Sequence, residues 1–409
     1  MNSDLTVAAG TVINHVATGG DGYQVDQGST GPNFTNLGDI TFTLAPGQAS
    51  VTGLLLASSS IDWTHGVVDN QGHFTISSTE LASFLAGPNP PGVTNEGVIS
   101  VTGATGAVGL NYPSAFPDIT NSGVFQVSGD GTVIADKMAG GAVINNAGGV
   151  ISATGEAVGD TVHAIDSTGG LLFSNSGQVI ATDHDPGAQS VAVQFGGGMV
   201  IFDNHGTVTG DIAIQNTSTD LVDVEQLDIS NVGTINGTVD LGPMTAGSGP
   251  AIRTVTMANV GVVNGDVNMG QGDDLFSGQT GIQNGLVSGG PGRDTLLGGQ
   301  GDDALQGNQG DDSIFGGAGD DIIVGGKDND NQEGSFGNDV VWGNLGNDTL
   351  DGFDGNDQVR GGQGDDVISG GNGNDFISGD RGNDTETGGA GADIFHGSQD
   401  AGIDKVMDF

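Results

Sequence analysis

Aspartate returns at every ninth residue in the last third of the chain. From 289 to 396 the sequence divides into twelve consecutive nine-residue units such as GGQGDDALQ, and one further unit, MGQGDDLFS, stands apart at 269–277. Gly begins each of the twelve units, and Asp holds position six in all of them. Because the neighbouring residues vary while the Asp at position six does not, the pattern predicts that this Asp binds a ligand and is not simply an acidic residue exposed to solvent. With the one in the separate unit, these aspartates are Asp274, Asp294, Asp303, Asp312, Asp321, Asp330, Asp339, Asp348, Asp357, Asp366, Asp375, Asp384 and Asp393.

The composition of each unit indicates which ion it would bind. Gly-rich residues can form a wide turn whose carbonyl oxygens point inward, and Gly is required where the backbone angles crowd a Cβ. Two units make 18 residues, enough for one coil with a turn on each side, so turns two units apart should stack. Each stacked pair offers carbonyls and two carboxylates. This oxygen-only set suits Ca²⁺, which takes about six to eight oxygens, and suits Zn²⁺ or Cu²⁺ poorly.

Two other positions of the unit have predicted roles. Position five is Asp in some units, as at Asp302 and Asp320, and Asn in others, as at Asn338 and Asn356, which indicates a solvent-facing residue rather than a ligand. Position eight is apolar and should face the core, and the residues there are Leu296, Leu305, Ile314, Ile323, Val341, Leu350, Val359, Ile368, Ile377 and Phe395. Two units depart from the pattern: Gly325–Glu333 has Asp328 at position four and Gln332 at position eight, and Gly379–Thr387 has Glu386 at position eight. We expect a defect or a cap at each.

The first 268 residues repeat at a longer period. An Asn-x-Gly triplet followed by alternating apolar residues recurs every 25 to 34 residues, with Asn36, Asn70, Asn95, Asn121, Asn146, Asn175, Asn204, Asn231 and Asn259 in the lead. Asn-x-Gly is typical of a turn and period-two alternation of a strand, so each repeat predicts one coil of a parallel β-helix. The Asn residues could hold coils together or contact a ligand along one face. Only Leu81–Ala86, after Ser78, resembles a short helix.

Charge and composition exclude several classes of function. The chain of 409 residues has a net charge of -44, which repels nucleic acid phosphates and anionic lipids. It contains no Cys, so disulfides and thiolate chemistry are absent. No apolar segment approaches the ~20 residues of a membrane span. Residues 1–20 lack Lys, Arg and an apolar stretch, unlike a secretory signal peptide.

The nonapeptides match G-G-x-G-x-D-x-U-x, and the block resembles the RTX family, the haemolysin-type calcium-binding repeats of secreted bacterial proteins. The resemblance implies a calcium-binding β-roll holding several Ca²⁺ ions, export by type I secretion machinery, and an extracellular location, secreted or at the cell surface. It also implies that the side chains of the position-six aspartates ligate calcium. Carbonyls of the turns would complete the shells, and the candidates are Gly298, Gly299, Gln300, Gly301, Gly316, Gly317, Gly319, Gly361, Gly362, Gly364, Gly370, Gly371 and Gly373.

We therefore predict an all-β chain: a parallel β-solenoid, or β-helix, at 1–268, followed by the calcium-binding parallel β-roll at 269–396. Residues 397–409 resemble the start of a C-terminal tail that is truncated. The predicted function is that of a structural or adhesive module, an adhesin of the cell surface or extracellular matrix with a glycan or other cell-surface ligand.

The alternative is a carbohydrate-active β-helix enzyme, of the polysaccharide lyase or epimerase type. Against an enzyme, no HExxH or G-x-S-x-G motif occurs, and residues 1–268 hold only Lys137 and Arg253 as basic residues. Asp183–Asp185, around His184, could bind metal, serve as acid and base, or form a polar turn, and Trp63 with His65 could stack on sugar. An exposed row of Thr and Ser would favour adhesion, whereas converging Asp, His and Tyr would favour an enzyme.

Overall fold

The computed structural model describes residues 67–78, 92–112, 118–157, 160–185, 188–196, 200–217, 227–242, 254–397 and 402–407. It also describes, as backbone alone, the strands at 5–7, 12–17, 21–24, 34–36, 39–44, 50–55 and 81–86. The chain forms two compact units, the first comprising 1–218 with 235–237 and the second 219–234 with 238–409. No helix occurs among the described residues, which confirms the predicted all-β class.

The strands are short and follow one another closely along the chain. Up to residue 145 they are β1 Leu5–Val7, β2 Val12–Ala17, β3 Asp21–Gln24, β4 Phe34–Asn36, β5 Asp39–Leu44, β6 Ser50–Leu55, β7 Val67–Asn70, β8 His73–Ser78, β9 Leu81–Ala86, β10 Gly92–Asn95, β11 Val98–Gly103, β12 Gly106–Tyr112, β13 Asp118–Asn121, β14 Val124–Gly129, β15 Thr132–Met138 and β16 Gly141–Asn145. From there to residue 283 they are β17 Val150–Gly155, β18 Thr161–Ser167, β19 Leu171–Asn175, β20 Gln178–Asp183, β21 Ser190–Phe195, β22 Val200–Asn204, β23 Thr207–Asn216, β24 Leu227–Asn231, β25 Thr234–Asp240, β26 Val255–Asn259, β27 Val262–Asn264, β28 Val267–Asn268, β29 Leu275–Ser277 and β30 Ile282–Gln283. The remaining strands are β31 Leu286–Pro291, β32 Thr295–Gln300, β33 Ala304–Gln309, β34 Ser313–Ala318, β35 Ile322–Lys327, β36 Asn331–Phe336, β37 Val340–Leu345, β38 Thr349–Asp354, β39 Gln358–Gln363, β40 Val367–Asn372, β41 Phe376–Arg381, β42 Thr385–Ala390, β43 Ile394–Phe395 and β44 Lys405–Val406.

In the first unit each coil contributes three strands, and like strands of successive coils pair in parallel. The first ladder runs through β7, β10, β13, β16, β19 and β22, the second through β8, β11, β14, β17, β20 and β23, and the third through β9, β12, β15, β18, β21 and β23. Alternate residues of the strands with described side chains are buried, as the period-two pattern predicts: Phe125 and Val127 of β14 are 2% and 1% exposed. The predicted parallel β-solenoid is confirmed.

One predicted element is wrong. Leu81–Ala86 is the strand β9 rather than a helix. It pairs in parallel with β6 on one side and β12 on the other. A six-residue segment forms too little helix to be stable alone, whereas neighbouring coils on both sides supply hydrogen-bond partners for a strand. The tertiary stack therefore overrides the local signal.

The Asn residues that close the first strand of each coil stack on one another inside the first unit. Each side-chain amide donates to the Oδ1 of the next Asn, 2.8–2.9 Å away, along the series Asn70, Asn95, Asn121, Asn145, Asn175 and Asn204. All six are buried. In the second unit Asn231 donates to Asn259 in the same way, at 2.9 Å. This supports the structural role for the Asn repeat.

The fourth member of this series, Asn145, corrects the sequence prediction. The residue in register with Asn121 and Asn175 is Asn145, not Asn146. The turn to the next strand is therefore longer, and within it Gly149 donates its N–H to the carbonyl of Asn146. The side chain of Asn146 is exposed and donates only to Ser122 Oγ, at 2.9 Å.

The second unit changes from one repeat to the other without interruption. β26 of the Asn-x-Gly type pairs with β29 of the separate nonapeptide, and β29 pairs with β32 of the first consecutive unit. From β32 onward, strands two units apart pair 18 residues apart, as Thr295 with Ser313, which confirms the predicted two-unit coil. The composition change near 268 lies inside this unit, and the domain boundary predicted there remains a prediction.

The position-eight residues form the core of the nonapeptide block. From Leu296 to Ile377, every apolar residue at position eight is at most 1% exposed. Phe395, near the end of the block, is half-buried. The separate unit is joined to the block by the degenerate stretch 278–288, which lengthens that coil to 20 residues, pairing Leu275 with Thr295. The strands on either side of this irregular stretch therefore still pair in parallel.

We predict that Asn145→Ala lowers the free energy of unfolding of the first unit by about 1–3 kcal/mol. The change removes a buried amide that donates to Asn175 and accepts from Asn121, and leaves both of those groups without that partner. The measurement is urea unfolding of the full chain in calcium. The adjacent Asn146→Ala is the matched control, with an expected change of about 0.5 kcal/mol or less; a larger effect at Asn146 than at Asn145 would contradict the corrected series.

Candidate metal centre

The position-six aspartates form two columns, one for each edge of the nonapeptide coil. Eleven of the thirteen, all but Asp274 and Asp303, use one carboxylate oxygen in the same way: Oδ1 accepts the backbone N–H of the aspartate one coil earlier, as Asp339 Oδ1 does from Asp321 at 2.8 Å. The first column is Asp274, Asp294, Asp312, Asp330, Asp348, Asp366 and Asp384, and the second is Asp303, Asp321, Asp339, Asp357, Asp375 and Asp393. The stacking of turns two units apart is thus observed.

The second carboxylate oxygen differs from the first. In eleven of these aspartates Oδ2 is buried and has no hydrogen-bond partner, and these are Asp294, Asp303, Asp312, Asp321, Asp330, Asp339, Asp348, Asp357, Asp366, Asp375 and Asp384. A buried oxygen of this kind costs about 1–3 kcal/mol, and more when charged. A repeated column of such oxygens is unstable unless another group binds them.

Position one of each unit must be Gly for a reason that the sequence did not reveal. A Cβ on Gly316 would overlap Oδ2 of Asp321, and the same pairing holds in the other units, as between Gly361 and Asp366. Positions two and four are different, because there the backbone itself has positive φ, as at Gly299 and Gly301. Position-one Gly therefore keeps space for the carboxylate.

Burial makes the charged form of these carboxylates unfavourable. It raises the pKa of Asp294, Asp303 and Asp348 to about 6, of Asp312, Asp321, Asp357 and Asp366 to about 7, and of Asp330 to about 8. The pKa values of Asp339, Asp375 and Asp384 are also raised, chiefly by burial. Burial is the largest cause in every case; in most of them the N–H bond to Oδ1 lowers the pKa, as in Asp321, and neighbouring aspartates raise it further. A bound cation would offset both burial and mutual repulsion.

The donor set fits calcium. It consists of oxygens alone, and no three His, Asp or Glu side chains in the described part of the chain come together as a metal site. Backbone carbonyls must therefore complete any shell. The carbonyl oxygens of Gly299 and Gly301 lie against Gly317 and Gly319 of the next coil, as stacked turns require. Which carbonyls and aspartates ligate remains a prediction, for the whole set of residues named from the sequence.

The position-five residues form a separate, exposed series in which the hydrogen bonds run in the opposite direction along the stack. There each Oδ1 accepts the N–H of the residue one coil later, as Asp320 Oδ1 does from Asn338 at 2.8 Å and Asn338 Oδ1 from Asn356 at 3.0 Å. Asn and Asp share this acceptor oxygen, which explains why they exchange. The structure thus places position five in solvent, as expected.

Neither irregular unit interrupts the ladders, so the expected defect or cap is wrong. Asp328 adopts a φ of 75° in place of Gly. Gln332 takes the core position at 1% exposure, with its amide donating to the carbonyl of Trp342 at 3.2 Å. Glu386 is likewise buried and accepts the N–H of Gly379 at 2.6 Å, while burial raises its pKa. Both polar side chains reach backbone groups, so strands β36 and β42 stay paired.

Comparison with known proteins identifies the block. A family model for the RTX calcium-binding nonapeptide repeat (4 copies) matches residues 284–307, 297–332, 333–352, 351–386 and 369–403. Residues 284–403 are therefore RTX repeats, which bind several Ca²⁺ ions and are typical of secreted proteins. Neither the curated proteins nor the solved structures provide a match to the chain. No described helix has the length and apolar character of a membrane span.

We expect Asp321→Asn to raise the calcium concentration needed for folding at least tenfold, which corresponds to about 1.4 kcal/mol. The amide can still accept the N–H of Asp303, but it brings no negative charge to a hard cation. Calcium-dependent melting of the full chain measures the change. Asp320→Asn is the matched control, because Asn already occupies position five in other units. Equal effects of the two substitutions would refute the ligand assignment.

Without calcium, the β-structure of the repeats should depend on pH. The folded carboxylates titrate at about 6–8, above the ~3.9 of an unfolded Asp, so the folded form binds more protons between these values. The free energy of unfolding of the metal-free repeats is therefore greatest below pH ~4 and falls as pH rises to ~8. Circular dichroism of the full chain in chelator should show more β-structure at pH 4 than at pH 8, where the repeats should be unfolded. A spectrum in chelator at pH 8 identical to that with calcium would contradict this.

Proposed function

We propose that the chain is a secreted, calcium-stabilised structural or adhesive module of the cell surface or extracellular matrix. The observation that carries the proposal is a set of uncharged polar side chains, seven with hydroxyls and one Gln amide, on the outer face of the second ladder in the first unit. Two adjacent rows run across β8, β11, β14 and β17. The first contains Thr75, Ser100, Gln126 and Ser152, and the second contains Ser77, Thr102, Ser128 and Thr154.

These side chains form a regular polar surface. All are exposed or half-exposed. Thr102 and Ser128 are in hydrogen-bond contact at 3.3 Å, and Gln126 donates to Ser100 at 3.2 Å. Neighbouring strands lie about 4.8 Å apart, so the hydroxyls repeat at that interval. A surface of uncharged donors and acceptors at fixed spacing is suited to contact with a polar polymer such as a glycan.

The calcium requirement of the repeats supports an extracellular role. A chain whose carboxylates need cations to fold would stay unfolded at the low calcium of a cytosol, which suits passage through type I secretion machinery. It would fold where calcium is abundant, because metal binding free energy becomes folding free energy. The secretion route and the location are inferred from this coupling and from the RTX repeats.

A second candidate function, an enzyme acting on a polysaccharide, is favoured by one polar group on the third ladder. His163 Nδ1 lies 3.8 Å from Asp166 Oδ2, and Gln194 donates to Asp166 at 3.2 Å. Lys137 is paired with Asp166 in the strand register. A His and a carboxylate in contact could exchange protons with a substrate.

Two observations make the enzyme the weaker candidate. Next to this group, Asp136 is buried with neither oxygen hydrogen-bonded, and burial, with a smaller effect of Asp166, raises its pKa well above the usual range. It lies between Leu110 and Ile165 in the strand register, away from solvent. His184 lies in the turn after β20, where Nδ1 contacts the carbonyl of Gly155 at 2.9 Å, so it is part of a polar turn.

The adhesive role predicts that the hydroxyl rows are needed for binding. With the full chain in calcium, the double change Thr102→Val and Thr154→Val should lower adhesion to cells or to a glycan array at least fivefold. The control is Thr94→Val with Thr120→Val, a pair in register on the first ladder, which should bind as the parent chain does. Equal binding by both variants would contradict the adhesive face.

The same preparation distinguishes the enzyme. Incubation with alginate and pectate in calcium should release no unsaturated uronate. Product that disappears in His163→Ala, with melting unchanged, would replace the adhesive proposal by the enzymatic one.

A further inference from the structure

A pocket of about 270 Å³ opens on the outer face of the nonapeptide ladder that contains β37, β39 and β41. Its walls are Trp342, Asn344, Arg360 and Asp380, and its floor is Gly361 and Gly362. The strand register accounts for this shape. Trp342 lies beside Arg360 in one row, while Asn344, Gly362 and Asp380 follow one another in the next row. Because Gly362 has no side chain, a hollow remains between Asn344 and Asp380.

The polar groups of the pocket are held in place. Arg360 Nη2 binds both carboxylate oxygens of Asp380, at 2.9 and 3.2 Å. Ser378, the neighbour of Arg360 in the same row, donates to Asp380 Oδ1 at 2.7 Å. Gln332 donates to the carbonyl of Trp342 from the core side. The indole remains 37% exposed, so an apolar aromatic ring stands beside a fixed guanidinium, a carboxylate and a primary amide.

We propose that this pocket binds one neutral pyranose unit of a glycan. A sugar ring has an apolar face of C–H bonds, which can lie against the electron-rich face of an indole. Its rim carries hydroxyls that both donate and accept, and guanidinium, carboxylate and amide groups offer both functions. The volume lies just below the roughly 300–1,000 Å³ of pockets for larger ligands, which fits a single ring.

Charge selects a neutral sugar over an acidic one. The positive charge of Arg360 is already matched by Asp380 at 2.9 Å. The chain as a whole has a net charge of -44, which repels uronates and sulfated sugars. No positive charge is left in the pocket for an anionic ring. The site also differs from the hydroxyl rows of the first unit, since it supplies an aromatic surface and charged hydrogen-bonding groups.

This inference rests on the proposed adhesive function for its choice of a glycan as ligand. The test is isothermal titration calorimetry of the full chain in saturating calcium, because Gly361 and Gly362 also belong to the predicted calcium shells. The probes are gluco-, galacto- and manno-oligosaccharides, with an oligogalacturonate for comparison. We expect saturable binding of at least one neutral oligosaccharide, weaker binding of the uronate, and a loss of at least tenfold in Trp342→Ala.

Matched variants separate the pocket from general effects. Phe336→Ala removes another exposed aromatic, 64% accessible, from a different strand and should leave the affinity unchanged. Arg360→Lys keeps the charge but loses the planar fork, and should weaken binding by a smaller factor than Trp342→Ala. Calcium-dependent melting shows whether each variant folds.

The outcomes are distinct from those of the adhesion assay. Absence of saturable binding to every neutral oligosaccharide would overturn the pocket assignment, as would equal affinity of Trp342→Ala and the parent chain. Binding that appears only as self-association at high protein concentration would also overturn it, in favour of a second copy of the chain. If adhesion persists in Trp342→Ala but is lost in the hydroxyl-row variant, the proposed adhesive function stands and the pocket does not contribute to adhesion.

Discussion

The structure of the repeats depends on one constraint, the stacking of identical carboxylates above one another inside the protein. An 18-residue coil places every position-six Asp directly over the corresponding Asp of the next coil. In ten of these carboxylates, as in Asp339, one oxygen accepts a backbone N–H and the other is enclosed without a hydrogen-bond partner. The mutual repulsion and the burial both oppose folding unless cations lie along the columns. The Gly at position one and the predicted calcium requirement both follow from this arrangement.

The Asn series of the first unit shows how the same stacking works without an ion. A side-chain amide is both a donor and an acceptor, so each Asn gives a hydrogen bond to the next and receives one from the last, as Asn121 does between Asn95 and Asn145. A carboxylate can only accept. Stacked amides therefore satisfy one another's hydrogen-bonding groups, whereas stacked carboxylates need a donor or a cation from outside the stack. The difference between Asn and Asp at a stacked position therefore distinguishes a coil whose side chains satisfy one another from a coil that we expect to need a metal ion.

The regularity of the coils also explains how function arises on them. Stacking turns one residue of a repeat into a row on the surface, which is why hydroxyls at Thr102, Ser128 and Thr154 align. Departures from the repeat then produce local sites. On the nonapeptide ladder, Trp342, Arg360 and Asp380 line a hollow over the bare backbone of Gly362. Uniform rows suit extended contact, and single exceptions suit recognition of one group.

The sequence alone predicted the all-β class, the 18-residue coil, the metal class and the two acidic columns, because these depend on the period of the repeat and on residue chemistry. It also indicated that position five faces solvent. Contacts between coils were needed to show that Asn145 rather than Asn146 joins the series, that Leu81–Ala86 is a strand, and that Gln332 and Glu386 fit into the core. Each of these outcomes depends on what the adjacent coil supplies, a hydrogen-bond partner or a space. Contacts between coils join residues that are far apart in the chain, so no local pattern carries that information.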